Sequence, residues 1–180
     1  MKNKEGKKTM TGHEGHLGLE MSSATKNERL KVSVEFQEQL KMVFNNYIKL
    51  KDALVIDDAI NVNKEAKNTL ASLTKVDMSL LKDEKAHVHW MSFDKEIKSS
   101  VTSISEVTDI KEQRSHFKHL SVHLISVIET YGINEKVYSQ FCPMADNNNG
   151  AYWLSREEKV VNPYFGAAML TCGSVKQTIE

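Results

Sequence analysis

At 180 residues, the chain is long enough for one domain with a substantial hydrophobic core. Its 24 Lys+Arg balance its 24 Asp+Glu, so it lacks the basic excess expected of a nucleic-acid-binding surface. No stretch approaches the ~18 apolar residues of a membrane span, and 40% hydrophobic with 27% charged content fits a globular protein.

Residues 1–31 read as a flexible tail, rich in Gly, Lys, Ser, Thr and Asn and poor in groups that offset the entropy of ordering. The basic start, "MKNKEGKKTM", leads into no apolar signal-peptide core, so the chain is expected to be cytosolic or the processed form of an exported protein. Within the tail, Met10, His13, His16 and Met21 mix thioether and imidazole groups, a set suited to soft or borderline metal ions. An unstructured linker with incidental histidines accounts for the same residues.

Residues 32–180 form the predicted domain. The first helix starts near Val32, with Phe36, Leu40, Val43, Tyr47, Leu50 and Leu54 in one apolar stripe. Asp57-Asp58 offers the cap of a second helix, with a weaker stripe through Ala59/Ile60, Asn63, Ala66/Lys67, Leu70 and Leu73. "TKVDMSLLKDEK" reads as a connection or a short turn of helix. A third helix, about 82–105, carries Ala86, Trp90, Phe93, Ile97, Val101 and Ile104. The fourth begins near Thr108 or Asp109 and stops at Tyr131-Gly132, where glycine allows a left-handed termination. Its stripe is Phe117, Leu120, Leu124, Val127/Ile128 and Tyr131. The predicted fold class is therefore all-α, an antiparallel four-helix bundle with an irregular C-terminal lobe over 134–180. In that lobe "VYSQF" and "AYWL" look extended and "NNNG" is a turn. "NPYFGAAML" starts a short helix at Pro163, capped by Asn162.

Both cysteines lie in the lobe, each close to a methionine. Cys142 and Met144 flank Pro143, and Met169 and Cys172 are three residues apart, one face of a helix. Two thiolates with two thioethers favour Cu(I) or Ag(I) over Zn(II), whose structural sites usually show Cys-x(2–4)-Cys pairs. Spacing alone favours a disulfide or plain burial; closing the ~29-residue loop is worth on the order of 3–4 kcal/mol in the chain-entropy model. His116, His119 and His123 share one face of the fourth helix, as a metal row or as a half-exposed boundary. His87 and His89 flank the third helix's stripe on opposite sides, so one of them can face the lobe, shielded by Trp90. No G-x-S-x-G, H-E-x-x-H or P-loop occurs, and the chain is not expected to be an enzyme.

"FCPMADNNNGAYWLS" and "VNPYFGAAMLTCGSVKQTI" resemble an uncharacterised domain of bacterial envelope proteins. That domain occurs alone or as the C-terminal extension of membrane-fusion adaptor proteins of copper/silver-type heavy-metal efflux systems. "LKDALVIDDA", "VDMSLLK" and the histidine before Trp90-Met91, His87, extend the resemblance into the helices, so it covers about 32–180. The resemblance implies an exported protein of the periplasm or cell envelope, possible as a lipid-anchored precursor, that binds Cu(I) or Ag(I). It implies Cys142, Cys172, Met144, Met169 and His87 as the metal set, with His13 and His16 of the tail in a lesser role; His119 and His123 lie outside the family's pattern, with His116, and are lesser candidates from their shared helix face alone. Efflux-pump components or a copper chaperone are the implied partners. The alternative is a disulfide-stapled interaction domain without metal.

Overall fold

The computed structural model describes residues 29–180. The tail histidines and methionines, Met10 to Met21, lie outside the described residues. Four helices lie close to the predicted positions: α1 (Val34–Val55), α2 (Ala59–Leu73), α3 (Glu84–Glu106) and α4 (Ile110–Tyr131). Each begins where a short polar side chain takes an otherwise unpaired N–H of the first turn. Ser33 accepts from Phe36 N, Asp58 from Asn61 N, Asp83 from Ala86 N, and Asp109 from both Lys111 N and Glu112 N. α4 stops at Gly132, whose φ of 70° is the left-handed stop. A 3-10 turn, Met78–Leu80, interrupts the link between α2 and α3.

The stripes of α1, α3 and α4 are buried as expected, apart from Phe93, which is only partly so. α2 is rotated from its predicted phase: Val62, Glu65, Ala66, Thr69 and Leu73 are buried, while Ile60 is 85% exposed. Polar members of that face are satisfied locally, with Thr69 Oγ1 donating to Glu65 O at 2.8 Å and Asn68 Nδ2 to Glu65 Oε2 at 3.0 Å. An apolar-only count therefore misplaced the face.

The helices pack in sequence order, α1 on α2, α2 on α3 and α3 on α4. An aromatic layer fills one end, where Phe36 meets Trp90 and Tyr131 edge-on at 5.5 and 5.4 Å.

The chain is not all-α. The C-terminal part holds a three-stranded antiparallel sheet in the order β2-β1-β3, formed by β1 (Val137–Cys142), β2 (Ala151–Ser155) and β3 (Ser174–Ile179). β1 is central, pairing Gln140 with Trp153 on one side and Phe141 with Ser174 on the other, with a bulge at Ser139/Gln140. The extended pieces were visible in the sequence. Their pairing was not, because β3 ("SVKQTI") lies far along the chain and is mostly exposed. Nor does an α-helix start at Pro163: Tyr164 N donates to Asn162 Oδ1 at 2.7 Å, and the helical turn that follows is 3-10, Gly166–Met169. The "NNNG" turn includes a single helical turn, α5 (Ala145–Asn148), in which Asp146, Asn147 and Asn148 have φ of 52°, 55° and 68°. Asp and Asn are the non-glycine residues that tolerate that region.

The lobe packs through β2 on α4. Tyr47 of α1 pins it: its hydroxyl accepts from Leu154 N at 3.0 Å and shares a 2.8 Å hydrogen bond with Ser121 of α4. Arg114 of α4 adds a second anchor, donating to Pro163 O at 2.7 Å, Leu54 O at 2.8 Å and Asp57 Oδ1 at 2.6 Å.

Candidate dithiol site

The sheet makes the site. Pairing Phe141 with Ser174 places the end of β1 beside the residues that lead into β3. Cys142 and Cys172 therefore meet across 30 positions of sequence, and their sulfurs are 2.9 Å apart in a thiol–thiol hydrogen bond. Both are free thiols. Cys142 is fully buried, whereas Cys172 is partly exposed, so the pair has one inner and one outer member.

Asn162 organises the outer segment from a buried position. Its backbone N–H donates to Leu170 O at 2.8 Å, and its side-chain Nδ2 donates to Cys172 O at 2.8 Å. Cys172 N donates to Met169 O at 3.1 Å, closing the turn after the 3-10 helix. Gly173 has φ of 138°, and a Cβ there would lie 2.8 Å from Phe141 O and 3.0 Å from the Trp153 ring. Only glycine lets the chain enter β3 this close to β1. Sequence reading took Asn162 for a helix cap and gave Gly173 no role. A Gly directly after a Cys, just before a β-rich run, was the available signal.

The hydrogen bond from Cys142 is the largest influence on the Cys172 thiol and raises its pKa. Burial and the charge of Cys142 act the same way, and a hydrogen bond from the Met144 main chain opposes them. The Cys172 thiol is thus held protonated at neutral pH, and a metal ion or an oxidant must displace its proton.

Of the predicted ligands, the structure brings Cys142 and Cys172 into contact and surrounds them with the main chains of Met144 and Met169. The Met144 side chain is 47% exposed, and that of Met169 is partly buried. His87 is not brought in. It follows Ala86, whose carbonyl accepts from Tyr131 Oη at 2.8 Å, whereas the turn after Cys142 meets α4 at Lys118, which pairs with Asp146 at 2.7 Å. The thirteen residues of α4 between those levels span about 20 Å of helix. His89 packs on Phe93 and Tyr131, and Trp90 is buried against Phe36 and Tyr131, so both belong to the aromatic layer of the bundle. His116, His119 and His123 share a face, as predicted, but at ~100° per residue it lies roughly opposite the Arg114, Lys118 and Ser121 face that meets the lobe. His123 packs against Phe93 of α3, and His119 is exposed. Among the described residues, no group of three or more His, Cys, Asp or Glu is placed to hold a metal ion. Among the same residues, no helix is long and apolar enough to cross a membrane.

Residues 43–136 match the family model described as a protein of unknown function, DUF3347. The match covers a little over half of the chain and ends before β1, so it includes neither cysteine. No curated protein and no solved structure matches. The chain belongs to the DUF3347 family.

Proposed function

We propose that this DUF3347 chain captures a soft monovalent metal ion, Cu(I) or Ag(I), as cargo on Cys142 and Cys172. The observation that carries the reading is the pair of free thiols in contact, one buried and one reachable from solvent. Loading releases the two thiol protons and exchanges the hydrogen bond for two metal–sulfur bonds. With bonds near 2.3 Å the sulfurs must open to roughly 3.8 Å in a tetrahedral arrangement, and further in a linear one. Cys172 is the member free to move, because it sits on a turn and not inside a strand. Thioether sulfur from Met144 and Met169 completes a soft donor set. Zinc is the weaker candidate, since its sites usually take four ligands of the Cys, His and carboxylate type. An envelope location and delivery to efflux components or a copper chaperone complete the proposal, on the resemblance of the lobe motifs.

The test is competition for Cu(I) between reduced protein and a chromophoric chelator. Cys142→Ser is expected to weaken binding at least 100-fold. Micromolar or weaker binding by the parent protein, unchanged by the substitution, overturns the reading.

A second reading draws on the same contact: sulfurs at 2.9 Å need close by less than ~1 Å to form a disulfide. Here the lobe is a stapled interaction module. Intact mass with and without thiol alkylation separates the two. A quantitative disulfide that re-forms identically with and without copper favours the staple.

A further inference from the structure

Beside the dithiol, between the first turns of α4 and the lobe, lies an open cavity of about 560 Å³. That volume falls within the range of small-molecule sites. Its α4 wall presents Lys111, Arg114 and Lys118, while the lobe side adds the apolar surfaces of Tyr164 and Phe165. Arg114 is committed to Asp57 and Lys118 to Asp146. Lys111 has no ion pair among the described residues, so the wall keeps an unbalanced positive charge. The opposite lip is the left-handed turn at Asp146 and Asn147.

The cavity and the thiols share two segments. Met144 lines the cavity, two residues after Cys142, whose sulfur touches that of Cys172. Ala168 lines it from the 3-10 turn whose next residue, Met169, accepts the Cys172 N–H. Neither cysteine lines the cavity, but Met144 follows Cys142 by two residues and Ala168 precedes Cys172 by four, so a ligand seated there is one short segment from each thiol.

We propose that this cavity docks a low-molecular-weight thiol bearing carboxylates, the class of carrier that holds a soft ion as an anionic bis-thiolate complex. The inference rests on the dithiol reading. The carboxylates meet Lys111 and the basic wall, and the apolar part of the carrier lies against Tyr164 and Phe165. Exchange is then balanced without an oxidant. The Cys172 sulfur bonds to the metal as one metal–thiolate bond of the carrier breaks, and the Cys172 proton leaves on that carrier thiol. Cys142 repeats the step, so one anionic bis-thiolate complex and two cysteine thiols become a protein-bound bis-thiolate and two free carrier thiols. No electron is transferred.

The test separates docking from metal capture. S-methylglutathione, which has the carboxylates but no free thiol, is titrated into reduced, metal-free protein by calorimetry. Saturable binding is expected, weakened roughly five- to tenfold by Lys111→Glu, a substitution at an exposed site with no internal partner. Cu(I) transfer from its glutathione complex is expected to slow by a similar factor in that variant, while capture from the acetonitrile complex is unchanged. No binding of S-methylglutathione, equal binding by both proteins, or equal slowing with both copper sources overturns the docking site. Failure of Cu(I) to load from either source instead overturns the dithiol reading, and the S-methylglutathione titration still decides the cavity.

Discussion

Tyr47 joins the bundle to the lobe through one oxygen, and its removal has a calculable cost. In Tyr47→Phe the ring still fills its place against Phe117, which it stacks at 5.2 Å. Two buried groups lose their partner: the Leu154 N–H and the Ser121 hydroxyl, both on residues fully shielded from solvent. A buried polar group left unpaired costs about 1–3 kcal/mol, so the substitution is expected to destabilise by about 2–4 kcal/mol. For a domain of this size that lowers Tm by roughly 5–15 °C. Ser121→Ala is expected to cost only about 1 kcal/mol, because Tyr47 keeps its bond to Leu154. The double variant should then fall short of the sum, with a coupling of about 1 kcal/mol or more. Burial holds the Tyr47 hydroxyl far above the ordinary phenol pKa, so the cycle should read the same at any pH where the protein is folded. Urea unfolding of the reduced protein, followed by circular dichroism, measures all four forms. A loss below 0.5 kcal/mol for Tyr47→Phe, or strict additivity, refutes the bridging role.

Three further outcomes follow from local chemistry. Cys142→Ala removes the main influence that raises the Cys172 thiol pKa, so Cys172 should react faster with iodoacetamide at pH 7.5 than in the parent; an equal or slower rate contradicts the assigned cause. Gly150→Ala puts a Cβ 2.2 Å from the Phe141 ring at a φ of 83°, and should cost about 2–4 kcal/mol in urea unfolding; a loss under 0.5 kcal/mol shows that the turn relaxes. Burial lowers the pKa of His89. Its stabilising contribution is therefore present above the unfolded pKa of about 6.5 and is lost as pH falls through the folded value. His89→Phe should flatten the acid limb of Tm against pH, and an unchanged limb assigns that limb to other groups.

The helices were legible because a helix writes its buried face into a window of a few turns. Phe36 to Leu54 or Ala86 to Ile104 needs no distant partner to be recognised. α2 shows where this stops. Its buried face includes Glu65 and Thr69, made acceptable by bonds within their own helix, and the pattern alone cannot reveal those bonds. The sheet was illegible for a different reason. β1 and β3 are separated by 31 residues, and the strands alternate poorly: β1 is buried at Ser139 and Gln140, while β3 is largely exposed. Strand pairing is decided by partners that no local window contains. The same limit governed the ligands. The motifs single out Cys142 and Cys172 as candidates, yet their contact comes from the β1–β3 register. His87 shared a motif-like context with them but is carried by a helix whose start lies at the aromatic end of the bundle, not at the end of α4 where Asp146, just after Cys142, pairs with Lys118.

The register also explains why the pair is asymmetric, and asymmetry bears on what it can do. A cysteine at the end of a central strand is fixed by ladders on both sides, as Cys142 is through Ala151 and the neighbouring Phe141–Ser174 pair. A cysteine on the turn that feeds an edge strand has only Met169, Asn162 and the Met144 main chain to hold it. Gly173 then lets the chain cross Phe141 at a distance no side chain permits. Two equally fixed thiols would be locked at one separation, suited to a disulfide or to a metal but not to exchange between states. One anchored thiol facing one on a turn can close toward a sulfur–sulfur bond or open to admit an ion with little change elsewhere. In the proposed capture, entry and exit run through Cys172, whose turn follows the 3-10 helix that gives Ala168 to the wall of the basic cavity.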